Sequence, residues 1–231
     1  MENPVKLIPA LILFTLASLA RAEEHASAAP SSDADTLHGL PLKLHDTFED
    51  GADRWELSDE ASWAGRIVDG NAVLSIVRRQ SDYQPPHRSP LHIALLKDVE
   101  VEDFVLTFRV RSTLDTGAHR DICVFFGYQN PANFYYVHIG ARPDPNSGQI
   151  MVVKDAPRRA ITDNKQPIPW TDGWHQVKLV RSVEEGTIAV YFDDMQNPWQ
   201  TVEDKTFGKG LIGIGSFDDP ADFTDIRLYA E

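Results

Sequence analysis

The stretch Asp103-Phe-Val-Leu-Thr-Phe-Arg-Val-Arg111 decides the fold class. Its side chains alternate along the chain, and a period of two is typical of a β-strand that buries one face. One face carries only apolar residues, namely Phe104, Leu106, Phe108 and Val110. The opposite face carries Val105, Thr107, Arg109 and Arg111. We therefore expect a strand whose first face packs in a core.

Similar segments lie on both sides of this strand. Gly, Pro, Asn and Asp separate them, and no stretch shows the 3.6-residue period of a helix. Strands are predicted at Arg66–Val77, His92–Lys97, Asp121–Tyr128, Phe134–Gly140, Gln149–Lys154, Trp174–Arg181, Thr187–Phe192, Leu211–Phe217 and Phe223–Tyr229. Many antiparallel strands without helices predict an all-β sandwich or barrel.

The N-terminal region predicts export. Lys6 precedes an apolar run from Leu7 to Ala20, and Ala20-Arg21-Ala22 has the small-x-small pattern of a signal-peptidase site. The run is too short to span a bilayer of about 30 Å. We expect a signal peptide at 1–22, a flexible linker at 23–40, and one domain at 41–231 that is secreted or periplasmic and does not insert into the membrane.

Composition narrows the possible partners. The 231 residues suffice for one large β domain, and the formal net charge of −13 argues against nucleic acid, which needs clustered Lys and Arg. Cys123 is the single cysteine and lies inside an apolar strand, so we expect it to pack in the core. The oligomeric state stays open.

Three groups of segments resemble one superfamily. They are Asp46-Thr-Phe-Glu-Asp-Gly51 with Val68–Leu74, then Val124–Val137, and then Asp172–Arg181 with Gly210–Gly215 and Phe223–Arg227. They resemble the concanavalin A-like lectin and laminin G superfamily, including the bacterial 3-keto-disaccharide hydrolases. The resemblance implies a two-sheet antiparallel jelly-roll sandwich that binds an oligosaccharide or polysaccharide on its concave sheet face.

The face opposite the core set supplies candidate sugar ligands. Arg109 and Arg111 lie on one strand, and Tyr136 belongs to the predicted hairpin. His119 lies in a polar cluster just before the strand that begins at Asp121. Guanidinium groups hydrogen-bond sugar hydroxyls, and an aromatic ring stacks on a pyranose. Trp63, Trp170 and Trp199 are further platforms if they are exposed.

Glycan binding is the first functional hypothesis, and catalysis is the second. The usual glycosidase mechanism needs two carboxylates about 5 to 9 Å apart, and the Glu-x-Asp-x-x-Glu pattern of the family 16-type glucanases is absent. Elimination from a 3-keto glycoside needs no such pair. In that reading His138 or Asp121 is the catalytic base, and Arg109 or Arg111 stabilises the enolate.

Two hypotheses remain. Related jelly rolls often bind a structural calcium ion between their first and last strands, which implies Asp46 and Asp225 as ligands, assisted by Glu49 or Asp50. A non-catalytic structural or protein-interaction domain would instead expose a large apolar patch. Two long irregular stretches, Arg78–Leu91 and Asp155–Trp170, both carry arginines and are either functional loops or solvated connections.

Overall fold

The structure is a computed structural model that describes residues 36–231. The predicted signal peptide and most of the predicted linker therefore lie outside the described residues. Within the described range, no helix is long and apolar enough to cross a membrane.

Strands dominate the described part of the chain. They are β1 (Thr36–Leu37), β2 (Leu40–Asp46), β3 (Trp55–Leu57), β4 (Trp63–Val68), β5 (Asn71–Ile76), β6 (His92–Val101), β7 (Phe104–Ser112), β8 (Asp121–Asn130), β9 (Asn133–Gly140), β10 (Ile150–Lys154), β11 (Arg159–Ala160), β12 (His175–Arg181), β13 (Thr187–Phe192), β14 (Gln200–Glu203), β15 (Gly210–Ser216) and β16 (Ala221–Ala230). Short 3₁₀ turns at Glu60–Ser62 and Gly117–His119 interrupt them.

The strands form two antiparallel sheets. One has nine strands in the order β1-β2-β16-β7-β12-β13-β14, with the β4-β5 hairpin joined to β16 through β5. The other has seven strands in the order β11-β10-β9-β8-β15-β6-β3. The all-β, two-sheet jelly-roll sandwich predicted from the sequence is confirmed.

The main core lies between the two sheets, and β7 supplies part of it. Phe104, Leu106 and Phe108 are each about 1% exposed. Phe104 meets Phe126 of the opposite sheet with ring centroids 6.2 Å apart. Burying one such side chain contributes roughly 1.5–3 kcal/mol, so the alternating face of β7 holds the sheets together.

The predicted strand Arg66–Val77 is wrong in part, because the structure has a hairpin there. Asp69 and Gly70 have φ angles of 50° and 80°, the left-handed conformation of a two-residue turn between β4 and β5. The Asp-Gly pair was the signal for this turn. The first described strand also begins at Thr36, inside the segment predicted as a linker.

A second apolar cluster covers the outer face of the seven-stranded sheet. Its buried members are Ile93, Leu95, Cys123, Phe125, Tyr128, Phe134, Tyr136, Met151 and Val153. Cys123 is buried as predicted, but it belongs to this cluster and not to the core between the sheets. Tyr83 and Ala160, from two long loops, and Phe217, just after β15, pack over the cluster. These three residues partly cover the outer face of the sheet, which would otherwise be exposed to solvent. A pocket lies beside them.

Candidate functional site

The pocket lies where the two long loops meet the ends of β8, β9 and β15. Its volume is about 730 Å³, within the range of small-molecule sites. Its lining is mostly charged or polar and consists of Arg79, Arg88, Thr116, His119, Asp121, His138, Asp144, Asn146, Ser147, Arg158, Phe217 and Asp218.

His138 and Asp121 form a buried hydrogen-bonded pair in this pocket. They come from adjacent strands, β9 and β8, whose register places His138 opposite Cys123. His138 Nε2 contacts Asp121 Oδ2, and His138 Nδ1 lies 2.9 Å from the Asn146 carbonyl oxygen. Both ring nitrogens therefore face acceptors.

A second carboxyl group supports this pair from β15 and the turn after it. Ser216 Oγ donates to Asp121 Oδ1 at 2.9 Å and accepts from the Asp219 backbone N–H at 2.6 Å. Asp219 Oδ2 accepts from Thr116 Oγ1 and from the Asp121 backbone N–H. These bonds fix the start of β8 against the end of β15.

Asp219 is itself unusual because its side chain is fully buried. Burial raises the pKa of Asp219 to about 6, and the nearby negative charges of Asp121 and Asp218 add to the rise. Its Oδ1 atom has no hydrogen-bond partner; Arg79 Nε, at 3.5 Å, is too distant to make a good bond.

Arg158 and Arg88 place two guanidinium groups near one aromatic ring. The Arg158 guanidinium carbon is 4.3 Å from the centroid of the Phe217 ring, and that of Arg88 is 5.6 Å away. Phe217 also stacks on His138, with centroids 5.7 Å apart and planes 12° apart. The two loops are joined where the Arg158 backbone N–H donates to the Arg88 carbonyl at 3.2 Å. Cation–π contact places both arginines beside the His138–Asp121 pair.

The structure brings together three of the predicted site residues. Asp121, His138 and the exposed His119 all line the pocket. Tyr136 lies beneath it in the apolar cluster, where its ring is fully buried and its hydroxyl has no partner. The predicted role of Tyr136 as a stacking surface is therefore wrong for the described state.

Arg109 and Arg111 do not belong to this site, which corrects the sequence prediction. They lie on β7 in the nine-stranded sheet, whereas the pocket is on the seven-stranded sheet. Both guanidinium groups lie over the Trp174 ring, at 5.2 and 5.3 Å, and Arg111 pairs with Asp222 at 2.8 Å. Alternation correctly placed them opposite the core, but it cannot tell which sheet a strand joins.

Asp46 and Asp225 do not converge on a calcium site. Asp46 is buried and accepts from the Phe48 backbone N–H and from Trp55 Nε1. Asp225 pairs with His45 at 2.8 Å and with Arg227 at 3.0 Å. His45 and Asp46 are consecutive in β2 and so point to opposite faces, which puts the two carboxylates on opposite sides of the strand. Asp46 and Asp225 therefore do not share one ion site. Asp46 lines a cavity of about 140 Å³ with Glu49 and Asp50, and a calcium ion bound there stays a prediction.

Within residues 36–231, one group of His, Cys and Asp donors is compact enough to hold a metal ion. Donor atoms of Asp121, Cys123 and His138 lie within 4.8 Å of one another, and such a set suits zinc. However, the His138–Asp121 hydrogen bond occupies the atoms that an ion would need. Burial also raises the pKa of the Cys123 thiol well above its usual range, which keeps it in the weakly ligating thiol form.

The three tryptophans proposed as sugar platforms lie elsewhere. Trp63 is buried between the sheets. Trp170 packs against His175 and Phe192. Trp199 is partly exposed and lines a separate cavity of about 400 Å³. None of them lines the pocket that contains His138.

Sequence reasoning missed Arg88, Arg158, Phe217 and Asp219. The signal available in the sequence was that both long loops contain arginines. Composition alone does not assign a loop to a site. Which arginine turns inward depends on how each loop crosses the sheet, and periodicity does not describe that.

Comparison with known proteins agrees with the architecture. No protein-family model matches the chain, and no curated protein matches it by sequence. Among solved structures, the carbohydrate-binding module CBM66 from Bacillus subtilis has a TM-score of 0.57 at 16% identity, covering 77% of this chain and 96% of that one. The carbohydrate recognition domain of Emp47p has a TM-score of 0.54 at 10% identity, covering 84% and 99%.

A glycoside hydrolase gives a similar match. The GH43 protein BlXynB from Bacillus licheniformis has a TM-score of 0.53 at 15% identity, over 82% of this chain but only 39% of that protein. Identities this low show the fold alone. The fold is a concanavalin A-like jelly roll, as the sequence resemblance predicted. The narrower resemblance to 3-keto-disaccharide hydrolases stays a prediction.

Proposed function

We propose that this protein is an exported glycan-binding domain whose binding site is the pocket on the outer face of the seven-stranded sheet. The observation that carries the proposal is the lining of that pocket, which combines unpartnered hydrogen-bond donors of Arg158 with the aromatic ring of Phe217. Sugars present hydroxyls to such donors, and their apolar C–H groups can contact the edge of the Phe217 ring, whose faces carry Arg158 and His138. Two solved structures with this fold are described as carbohydrate-binding, which supports the same reading.

The pocket is open at its polar side and closed at its apolar side. The apolar cluster adjoins it through Tyr136, whose ring centroid is 6.0 Å from that of His138, and the rim carries exposed His119 and Asp144. A cavity of about 730 Å³ admits one to a few sugar rings. We therefore expect recognition of a terminal or short glycan segment, with the remainder of the chain in solvent.

Titration of the full-length chain with a panel of oligosaccharides tests this function. Arg158→Ala should weaken binding at least tenfold, because it removes donors from the pocket. Arg109→Ala is the matched control, since Arg109 also stacks on an aromatic ring but lies on the other sheet. Equal weakening by both variants, or unchanged binding in Arg158→Ala, would place the site elsewhere.

Cleavage of 3-keto glycosides is the second candidate, and the buried His138–Asp121 pair favours it. A base would remove the proton beside the keto group, the resulting enolate would expel the glycosidic oxygen, and that oxygen would take up a proton. Arg158 and Arg88, and not Arg109 and Arg111, would stabilise the enolate. Both nitrogens of His138 are already hydrogen-bonded, so simple binding is the better-supported function.

Incubation with 3-keto glycosides separates the two candidates. New, smaller sugars detected by mass spectrometry, and lost in His138→Gln and Asp121→Asn, would establish cleavage. Ligands retained intact would establish binding. The structural or protein-interaction hypothesis needs a large apolar patch, yet the large hydrophobic side chains exposed in residues 36–231 are the separate Ile67 and Leu114.

A further inference from the structure

We infer that the pocket recognises an anionic group on the sugar, a carboxylate or a sulfate ester, through Arg158 and Arg88. This inference rests on the proposed glycan-binding function and names its ligand class. It concerns the charge of the ligand, which neither the fold nor the volume of the pocket determines.

Arg158 provides the first argument. Its Nε and Nη1 atoms are buried and have no hydrogen-bond partner, and the side chain forms no ion pair among the described residues. The side chain as a whole is partly exposed, but buried N–H groups without hydrogen-bond partners are costly. An acceptor with negative charge would satisfy these N–H groups and pair with the positive charge. Carboxylate and sulfate oxygens match guanidinium N–H groups and can bind them in pairs.

Arg88 provides the second argument. It comes from the other long loop, approaches the same Phe217 ring, and also forms no ion pair within residues 36–231. The two guanidinium groups near the Phe217 ring are both positively charged and repel each other. This repulsion increases when a ligand displaces water from between them. An anion bound between them would remove this repulsion and would hold together the two loops already joined by the Arg158–Arg88 backbone bond.

The carboxylates of the pocket do not supply this charge, because other groups engage each of them. Asp121 bonds to His138 and Ser216. Asp218 pairs with Arg79 at 3.4 Å, and Asp144 accepts from the Asn146 backbone N–H. Although the formal net charge of the chain is −13, neither of the two arginines is paired with a carboxylate in this pocket. Charge complementarity therefore favours an anionic ligand at this site.

The test compares each anionic sugar with its own neutral form. Oligogalacturonate is paired with its methyl ester, and a sulfated galactan oligosaccharide with its desulfated product. Isothermal titration of the full-length chain should show at least tenfold tighter binding of one anionic member than of its neutral partner. The pair that shows the preference identifies carboxylate or sulfate as the group recognised.

Variants connect the preference to the arginines. Arg158→Gln and Arg88→Gln should each remove most of it, whereas Arg109→Gln, on the other sheet, should retain it. If Arg158→Gln does not fold, Arg88→Gln still decides the question. A preference for the anionic form that survives in Arg88→Gln would overturn the inference.

The remaining outcomes separate this inference from the proposed function. Equal affinity for neutral and anionic forms would overturn the anionic site and leave glycan binding intact. If no oligosaccharide binds, the melting temperature is measured in sodium sulfate and in sodium acetate, whose anions carry no sugar. An increase that requires Arg158 would retain the anion site and overturn glycan binding. No increase would overturn both.

Discussion

Asp219 has a carboxyl group that is fully buried beside Asp121. Its folded-state pKa is about 6, against 3.8 for the free side chain, chiefly because burial disfavours the charged form. Between these values the folded state binds more protons than the unfolded state. The contribution of Asp219 to the stability of the wild type should therefore fall as the pH rises from about 4 to 6.

The variant Asp219→Asn removes this titration. We expect the free energy of unfolding of the wild type to fall relative to the variant by roughly 2 kcal/mol between pH 4 and 6. Urea unfolding at several pH values measures it. Asp98→Asn, at an exposed position of β6, controls for the loss of one negative charge. A wild-type-to-variant difference that does not change with pH would show that Asp219 does not titrate in this range.

Arg109 and Arg158 show what residue type alone leaves undecided. Each is an arginine near an aromatic ring, with centroid distances of 5.2 and 4.3 Å. The first belongs to a regular strand, and its orientation could be predicted from alternation. The second belongs to a loop, and only its position in the fold shows that its guanidinium lacks a partner.

At the scale of elements, β15 depends on glycines that face its neighbours closely. A Cβ atom on Gly215 would lie 1.9 Å from the His92 carbonyl oxygen and 3.1 Å from the Phe125 ring. Glycine has a low strand propensity, but a larger residue at position 215 would clash with β6. The close approach of the strands therefore explains why glycine occurs inside this sheet.

Gly215→Ala should therefore destabilise the fold by about 2 kcal/mol or more, because β6 must move to admit the methyl group. Gly65→Ala in β4 is the matched control, since no atom lies within 4 Å of the place that its Cβ would take. The control should change stability by no more than about 0.5 kcal/mol. Equal effects in denaturant unfolding would show that packing at β15 is looser than the structure indicates.

The two long loops act as elements of the site although they contain almost no regular structure. The loop before β6 carries Arg88, and the segment between β10 and β12 carries Arg158. Tyr83 and Ala160 fix these loops on the outer apolar cluster. Their functional importance was predictable from length and composition, but their meeting point was not.

For the whole molecule, the join between the first and last long strands determines whether calcium contributes to stability. Asp46 and Asp225 point to opposite sides of β2, and each is already engaged by N–H donors or cationic side chains. We expect Asp225→Asn to leave the difference between the melting temperatures in calcium and in chelator unchanged. A reversible increase with calcium, abolished in Asp225→Asn, would show that the ion rearranges this region.

The sequence by itself determined the fold class, most strand positions and the buried face of β7. These features follow from side-chain periodicity and turn residues, which act between neighbours in the chain. It also provided His138 and Asp121, because both lie at the ends of recognisable strands. The Asp69-Gly70 turn could have been predicted in the same way.

Only the tertiary structure decided which of these residues share a site. Alternation assigns a side chain to one of two faces but does not assign its strand to one of two sheets, so Arg109 was separated from His138. Loop conformation then brought Arg88 and Arg158 beside Phe217. Contacts between residues far apart in sequence depend on the packing of the whole sandwich, and no local pattern in the chain encodes them.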